Sequence, residues 1–269
     1  MKIETSDEVA QALAERRPVV ALESTIISHG LPRPDNLAAA REFEQILRFR
    51  GVTPATVAVL DGVLKAGLTD EEVQRIANED IAKLSVRDLP VAAGLGLSGA
   101  TTVAATSWIA DRAGIRVFAT GGLGGVHQGA SDTFDESADL TILGDVPITV
   151  VSAGVKSILD IGATLERLES LGVIVLGFQT NDFPSFWLTS SGFELDWRAD
   201  DAEAVAKVMA SRDELGLTSG IVVANPIPVD KQLDPALHDA VLEQAITEAA
   251  AQGLSGKDVT PFLLTRIVE

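Results

Sequence analysis

The 269-residue sequence contains no cysteine. That absence removes disulfides, thiolate nucleophiles and zinc sites built on cysteine sulfur. Basic residues are scarce: 21 Lys and Arg stand against 39 Asp and Glu, a formal charge of −18. Polyanions are held by basic stripes that release counterions, so polymeric nucleic acid and anionic membrane surfaces are poor partners. A small anionic ligand remains compatible, because it needs only a local positive pocket. The first residues, Met1-Lys2-Ile3-Glu4-Thr5, lack the apolar stretch of a secretory signal. No internal repeat or low-complexity tract is present. Residues 91–110 are uncharged over twenty positions, the length of a membrane span, but eight of them are Gly, Ser or Thr. Loop plus buried helix is the better reading, and the expectation is a cytoplasmic protein.

What the chain does have is core material. Apolar residues make up 46% and charged residues 22%, which rules out disorder. Short β-branched runs at 18–22, 55–60, 115–119, 148–152, 173–178 and 220–224 read as strands. Helices alternate with them. Asp35 opens one behind Pro34, with Leu37, Ala40, Phe43 and Leu47 on one face. Thr69-Asp70-Glu71-Glu72 spells a capping box, flanked by the staple pair Leu68 and Val73. Residues 99–113, 157–170, 200–210 and 236–251 supply further helices. This alternation predicts a three-layer α/β/α sandwich with a largely parallel central sheet, in one domain spanning 1–269. Residues 181–199 are the least regular and read as a covering flap.

In such sheets ligands bind beyond the carboxyl ends of the strands, so the residues there are the first candidates. Glu23 ends an apolar strand, where desolvation raises a carboxyl toward general-acid range; pairing with backbone or an Arg is the structural alternative. His29, a little further on, reads as a loop histidine. Residues 121–129 hold five glycines and His127, so backbone N–H groups could approach an anion closely. The loop has neither the Gly-Lys-Ser/Thr ending of a phosphate-binding loop nor the dinucleotide spacing, and a tight structural turn is the alternative. Asp135 and Asp139 lie four apart, so a helical turn would put both carboxylates on one face. With His127 nearby, that set suits Mg²⁺ or Mn²⁺ better than zinc; a solvated acidic face is the alternative.

Lys156 follows eight uncharged residues. Desolvation would give it the free amine that a Schiff base needs, whereas a snorkelling lysine at a helix start is the bland reading. Lys83 precedes an irregular connection. Ser98 to Thr102 and Val103 would open a helix whose N–H groups and hydroxyls could hold phosphate. Asn225 closes the last strand at the same mouth.

These stretches resemble the pseudouridine-5′-phosphate glycosidase family, which includes indigoidine-cluster proteins. The blocks that carry the resemblance are PVVALESTIISHGLP, RDLP, GATTVA, FATGGLGGVH, FDESADL, SAGVKSILD, VVANPIP and TPFLLTR, spread over practically the whole chain. The resemblance implies reversible cleavage of the C–C glycosidic bond of pseudouridine 5′-phosphate to uracil and ribose 5-phosphate, in a homotrimer of α/β/α subunits. It implies a divalent cation, usually Mn²⁺, at Asp135. Glu23 matches the family's proton donor and Lys156 its nucleophile. Lys83, Val103 and the Ser137-Ala138-Asp139 run match substrate contacts, and His127 a histidine close to the sugar. Thr102 and Asn225 join the substrate-binding candidates by position.

A C–C glycoside has no oxygen leaving group to protonate, so two carboxylates alone are insufficient. A lysine amine on ring-opened ribose supplies another route. Family members usually continue past the TPFLLTR block with a helix whose Asn residues approach the base, whereas this sequence ends at Glu269. The chain has no Tyr, so Phe178 and Gln179 differ from the more usual Tyr-containing strand end. Both departures bear on the base more than on the sugar phosphate. Two alternatives therefore stand beside the glycosidase: a synthase joining ribose 5-phosphate to another aromatic acceptor, and a silent sugar-phosphate-binding homologue.

Overall fold

Strand residues that alternate between two separate apolar clusters show how the layers are built. The computed structural model describes residues 3–254 together with 262, 263 and 266. Its strands are β1 (Glu4–Thr5), β2 (Val19–Leu22), β3 (Thr53–Leu60), β4 (Val63–Ala66), β5 (Ala82–Leu84), β6 (Gly99–Thr101), β7 (Val117–Ala119), β8 (Thr149–Ser152), β9 (Ile174–Phe178), β10 (Arg198–Ala199) and β11 (Ile221–Ala224). On β11, Val222 and Ala224 join the main core, while Ile221 and Val223 pack with Val205, Val208 and Met209 of the helix Ala202–Glu214. On β3, Val57 and Val59 face the main core; Ala58 and Leu60 face Ala40, Val73 and Ile76 of two helices on the other side. A sheet covered on both faces needs apolar residues at every position, which is why these strands read as continuous runs.

The sheet order is β1-β4-β3-β2-β7-β8-β11-β9-β10, with β6 also on β3 and β5 on β6. The expected three-layer α/β fold is what forms: every strand pair is parallel except β3 with β4 and β3 with β6. The six strands read from sequence lie within two residues of their observed starts. The capping box at Thr69 forms in both directions. Leu68 and Val73 share one apolar cluster, as a hydrophobic staple would require.

Some boundaries differ. Residues 99–101 are a strand, so the helix predicted from 99 starts only at Val103. The helix predicted from 157 starts at Ile161, because residues 156–160 form a turn and a bridge instead. Lys83 lies in β5, and the connection after it, read as irregular, is a short 3₁₀ turn (Val86–Asp88) that runs into the helix Leu89–Leu95. Phe43 is exposed and adds little to the buried face of its helix. The segment 181–199 is irregular up to β10, as read. Most of the TPFLLTR block falls outside the described residues.

β3 changes partners halfway along its length, pairing with β2 at Thr53–Thr56 and with β4 at Val57–Leu60. The buried Val57 carbonyl at this seam accepts hydroxyl bonds from Ser24 (2.6 Å) and Thr101 (2.7 Å). Ser24 Oγ in turn accepts from the Thr101 N–H at 2.9 Å. These bonds tie the end of β2, which leads to Glu23, to the end of β6, which leads to Thr102. Ser24→Ala leaves the Thr101 amide without its acceptor in a dry seam. It should cost about 1–3 kcal/mol of stability in urea unfolding, and an unchanged midpoint would remove this seam's structural importance.

Candidate active site

Because β2, β7, β8 and β11 run parallel side by side, their carboxyl ends open on one edge of the sheet. Glu23 follows β2, Thr120 follows β7, and Asn225 follows β11. The Thr120 hydroxyl donates to the Glu23 carboxylate in a short hydrogen bond. Desolvation nonetheless pushes the Glu23 carboxyl up from its ordinary range, and the charge of Asp139 adds to the rise. The Thr120 bond and the charges of Lys156 and Lys83 pull the other way. Glu23, Lys156, Lys83 and Asp139 thus share one electrostatic environment, although they come from four distant parts of the chain. Lys83 is held below the usual lysine range, first by desolvation and then by the charge of Lys156. Its charge also reaches His29, which is exposed, is hydrogen-bonded to Ser28 and has its own imidazole pushed down by desolvation. His29 sits at the rim.

Asp139 is 7% exposed, and both its oxygens are taken. Oδ1 accepts the Ala104 N–H at 2.8 Å and Oδ2 the Gly124 N–H at 2.9 Å. The anion at the start of the helix Val103–Arg112 is therefore the protein's own carboxylate. This sharpens the expectation of free N–H groups there, since one of them is already committed. Thr102, the residue before that helix, has a buried Oγ1 with no hydrogen-bond partner among the described residues. An orphan hydroxyl beside a helix N-terminus is a place where a phosphate oxygen could be satisfied. Val103 itself is buried in the main core, so its side chain packs and only its backbone can serve a ligand.

Asp135 and Asp139 do not share a helix face. Ser137 caps the helix Ala138–Asp145 and accepts the Asp139 N–H at 3.2 Å, so that helix begins after Asp135. Glu136 just before it bridges to Val126. The two carboxylates consequently serve different neighbourhoods: Asp139 turns inward between Gly124 and Ala104, whereas Asp135 stays beside His127 at the far end of the glycine loop. There its Oδ2 lies 3.8 Å from His127 Nδ1, and its carbonyl accepts the His127 N–H at 3.0 Å. Among the described residues no group of three or more His, Asp or Glu converges to hold a metal. One carboxylate with a nearby imidazole fits a hard cation that keeps much of its water and takes oxygens from a substrate.

The glycine loop is shaped by close approach. A Cβ on Gly124 would come within 2.3 Å of Ser137 Oγ and 2.8 Å of Asp139 Oδ2, so only glycine lets the clamp form. A Cβ on Gly122 would meet the Phe186 ring at 2.5 Å. Phe186 thus lies on the loop as an aromatic wall, held by its N–H to the Ala153 carbonyl (2.8 Å) and edge-to-face with Trp187 at 4.8 Å. Lys156 stands in the turn after β8, half-buried, with its N–H on Leu123 O at 3.2 Å. Asn225 is exposed, and its N–H donates to Ser152 O at 2.8 Å. Ala138 opens its helix half-buried. Sequence reasoning missed Thr120 and Phe186. Thr120 could have been found as the residue immediately following a predicted strand; Phe186 belongs to the aromatic-rich segment 181–199 read as a covering flap, although it was not singled out there.

A profile of the family described as "Indigoidine synthase A like protein" matches residues 8–269. A pseudouridine-5′-phosphate glycosidase of Frankia alni is 62% identical over 263 residues, covering 97% of this chain and 73% of that one. Another from Salinispora tropica is 62% identical over 259 residues, covering 96% and 80%. Among solved structures, the prealnumycin C-glycosynthase AlnA in complex with ribulose 5-phosphate superposes with a TM-score of 0.92 at 39% identity, covering 98% of this chain and 86% of that one. An indigoidine synthase A-like protein from Thermotoga maritima gives 0.87 at 36%, covering 99% and 86%.

Thr120→Val removes the hydrogen bond that favours ionised Glu23, so the Glu23 carboxyl should titrate still higher than in the unmodified protein. A carbon-13 NMR titration of the Glu carboxyls checks this. A Glu23 signal that titrates in the ordinary range, unmoved by the substitution, contradicts the placement of its carboxyl.

Proposed function

The chain belongs to the indigoidine synthase A-like family, and from that premise we propose that it is a pseudouridine-5′-phosphate glycosidase. Such an enzyme reversibly cleaves the C–C glycosidic bond of pseudouridine 5′-phosphate, giving uracil and ribose 5-phosphate. The observation that carries the reading is the meeting of Glu23, Lys156 and Lys83 at one edge of the sheet. A silent sugar-phosphate binder has no need of an acid facing an amine. Relatives carrying the glycosidase name at 50–62% identity favour this activity over the synthase alternative.

In the proposed mechanism Lys156 is the nucleophile. The ribose ring opens as the C1′–O4′ bond breaks, its electron pair leaving with O4′, which takes up a proton, and the amine forms a bond to the electron-poor C1′ and gives up a proton. The C1′–C bond to uracil then breaks as the nitrogen lone pair forms a carbon–nitrogen double bond. The electrons of the broken bond remain with the uracil carbon, which takes a proton from Glu23. Water hydrolyses the iminium, returning the free amine and ribose 5-phosphate. A raised carboxyl pKa suits Glu23 to arrive protonated. Lys83 and the start of the helix Val103–Arg112, with the Thr102 hydroxyl, would hold the phosphate. His127, Ser137, Ala138 and Asn225 would line the sugar and base, while Asp139 would act through the loop and helix it clamps.

A divalent cation, Mn²⁺ or Mg²⁺, would be held by Asp135, and when bound it supplies Lewis-acid polarisation and a template for water and phosphate oxygens. The resemblance to the glycosidase family supports the cation, a homotrimer and a cytoplasmic setting as parts of the same proposal. No helix among the described residues is long and apolar enough to cross a membrane.

Borohydride added with ribose 5-phosphate should fix a covalent adduct on Lys156, detected by peptide mass, and Lys156→Ala should abolish it. Glu23→Gln should lower kcat for loss of pseudouridine 5′-phosphate by about 10²–10⁴-fold, the usual range for a lost general acid, while leaving the adduct in place. An unmodified lysine in the wild-type protein would overturn the covalent route. Consumption of ribose 5-phosphate without turnover of the nucleotide would favour the synthase.

A further inference from the structure

Behind the turn that carries Lys156 lies a buried polar pair that the mechanism above does not use. Ser157, the next residue, is 7% exposed, and its hydroxyl lies 2.7 Å from Nε2 of His238, itself 4% exposed. His238 belongs to the helix Pro235–Ala251. On its other side, Nδ1 lies 3.1 Å from the carboxylate of Asp239, which is 77% exposed at its side chain. A ring nitrogen facing a carboxylate carries the proton in neutral imidazole, so Nε2 is the acceptor and the Ser157 hydroxyl the donor. The start of that helix is fixed as well: Asp234 Oδ1 accepts the Leu237 N–H at 2.8 Å, and the His238 N–H donates to Asp234 O at 2.9 Å.

The turn itself is held from the front by backbone. Lys156 N–H donates to Leu123 O, Leu159 N–H to Lys156 O at 3.0 Å, and Asp160 N–H to Val126 O at 2.9 Å. These bonds set the turn against the glycine loop but leave its rear face to side chains. The Ser157–His238 bond occupies that rear face, in a buried setting where a hydroxyl without a partner is costly.

We infer that His238 is a positioning residue for the reaction. Through Ser157 it fixes the Lys156 turn so that the amine approaches the sugar carbon from one direction. It touches neither substrate nor the reacting atoms. The inference rests on Lys156 being the nucleophile, as proposed above. It also accounts for a buried histidine in the first turn of its helix, where an apolar residue would pack as well.

The test uses the full chain and the borohydride trap with ribose 5-phosphate, alongside steady-state turnover of pseudouridine 5′-phosphate. Ser157→Ala and His238→Leu should each slow trapping and lower kcat by about 10–100-fold, the range seen when a group supporting a reactive residue is removed. KM should change little. The double variant should be no slower than either single one, because both remove the same bond. His238→Gln, whose side-chain oxygen can still accept from Ser157, should recover most of the rate. Trapping at the wild-type rate in His238→Leu, losses that multiply in the double variant, or a raised KM with unchanged kcat would overturn the inference. Absence of trapping in the wild-type protein would instead overturn the Lys156 reading, so the two failures are distinguishable.

Discussion

The carboxylate of Asp139 is the fastening on which the pocket depends. One oxygen holds the first turn of the helix that follows β6, and the other holds the glycine loop that follows β7. Charge-assisted bonds to backbone N–H groups are among the stronger hydrogen bonds in proteins, and a helix start favours the negative charge further. Two segments with little side-chain volume are thereby fixed without bulk. A buried anion, and not a packed side chain, does the joining. The same anion raises the Glu23 carboxyl and opposes the fall at Lys83. Burial is the first cause of both shifts, and the charge of the structural clamp modifies them.

The molecule is acidic as a whole, but two lysines, Lys83 and Lys156, share the environment of the Glu23 and Asp139 carboxylates. The surrounding negative charge keeps the protein soluble and discourages long anionic partners, whereas a single small anion meets the local field. Phe186, lying over Gly121 and Gly122, adds an apolar wall to an otherwise polar site.

Much of this was legible in the sequence. Strands covered on both faces announce themselves as unbroken apolar runs, and β3 and β11 did so. Glu23 and Lys156 could be picked out because each ends such a run. The short strands β5 and β6 were not legible: they are three residues each, Gly99 weakens any strand signal, β5 pairs only with β6, and the hydroxyl bonds at the seam with β3 come from Thr101 and from Ser24, 77 residues away. The spacing of Asp135 and Asp139 suggested a shared helix face because spacing says nothing of where a helix begins, which Ser137 decides. His238 was invisible for a different reason. Its partner Ser157 lies 81 residues away, and no local pattern on its helix sets it apart.

One feature of the sheet constrains how the chain can reach this structure. β11 lies between β8 and β9, yet it is made after both. During synthesis β9 and β10 can pair with each other but have no strand joining them to β8 until residues 221–224 have left the ribosome. Parallel pairings across long stretches of chain are slow to form because loop closure precedes their reward. The last third of the sheet is thus completed by insertion of a late strand rather than by growth at an edge. Asn225, just past that strand, can bond to Ser152 at the end of β8 only when the insertion is complete, so the carboxyl edge of the sheet is finished in the same step.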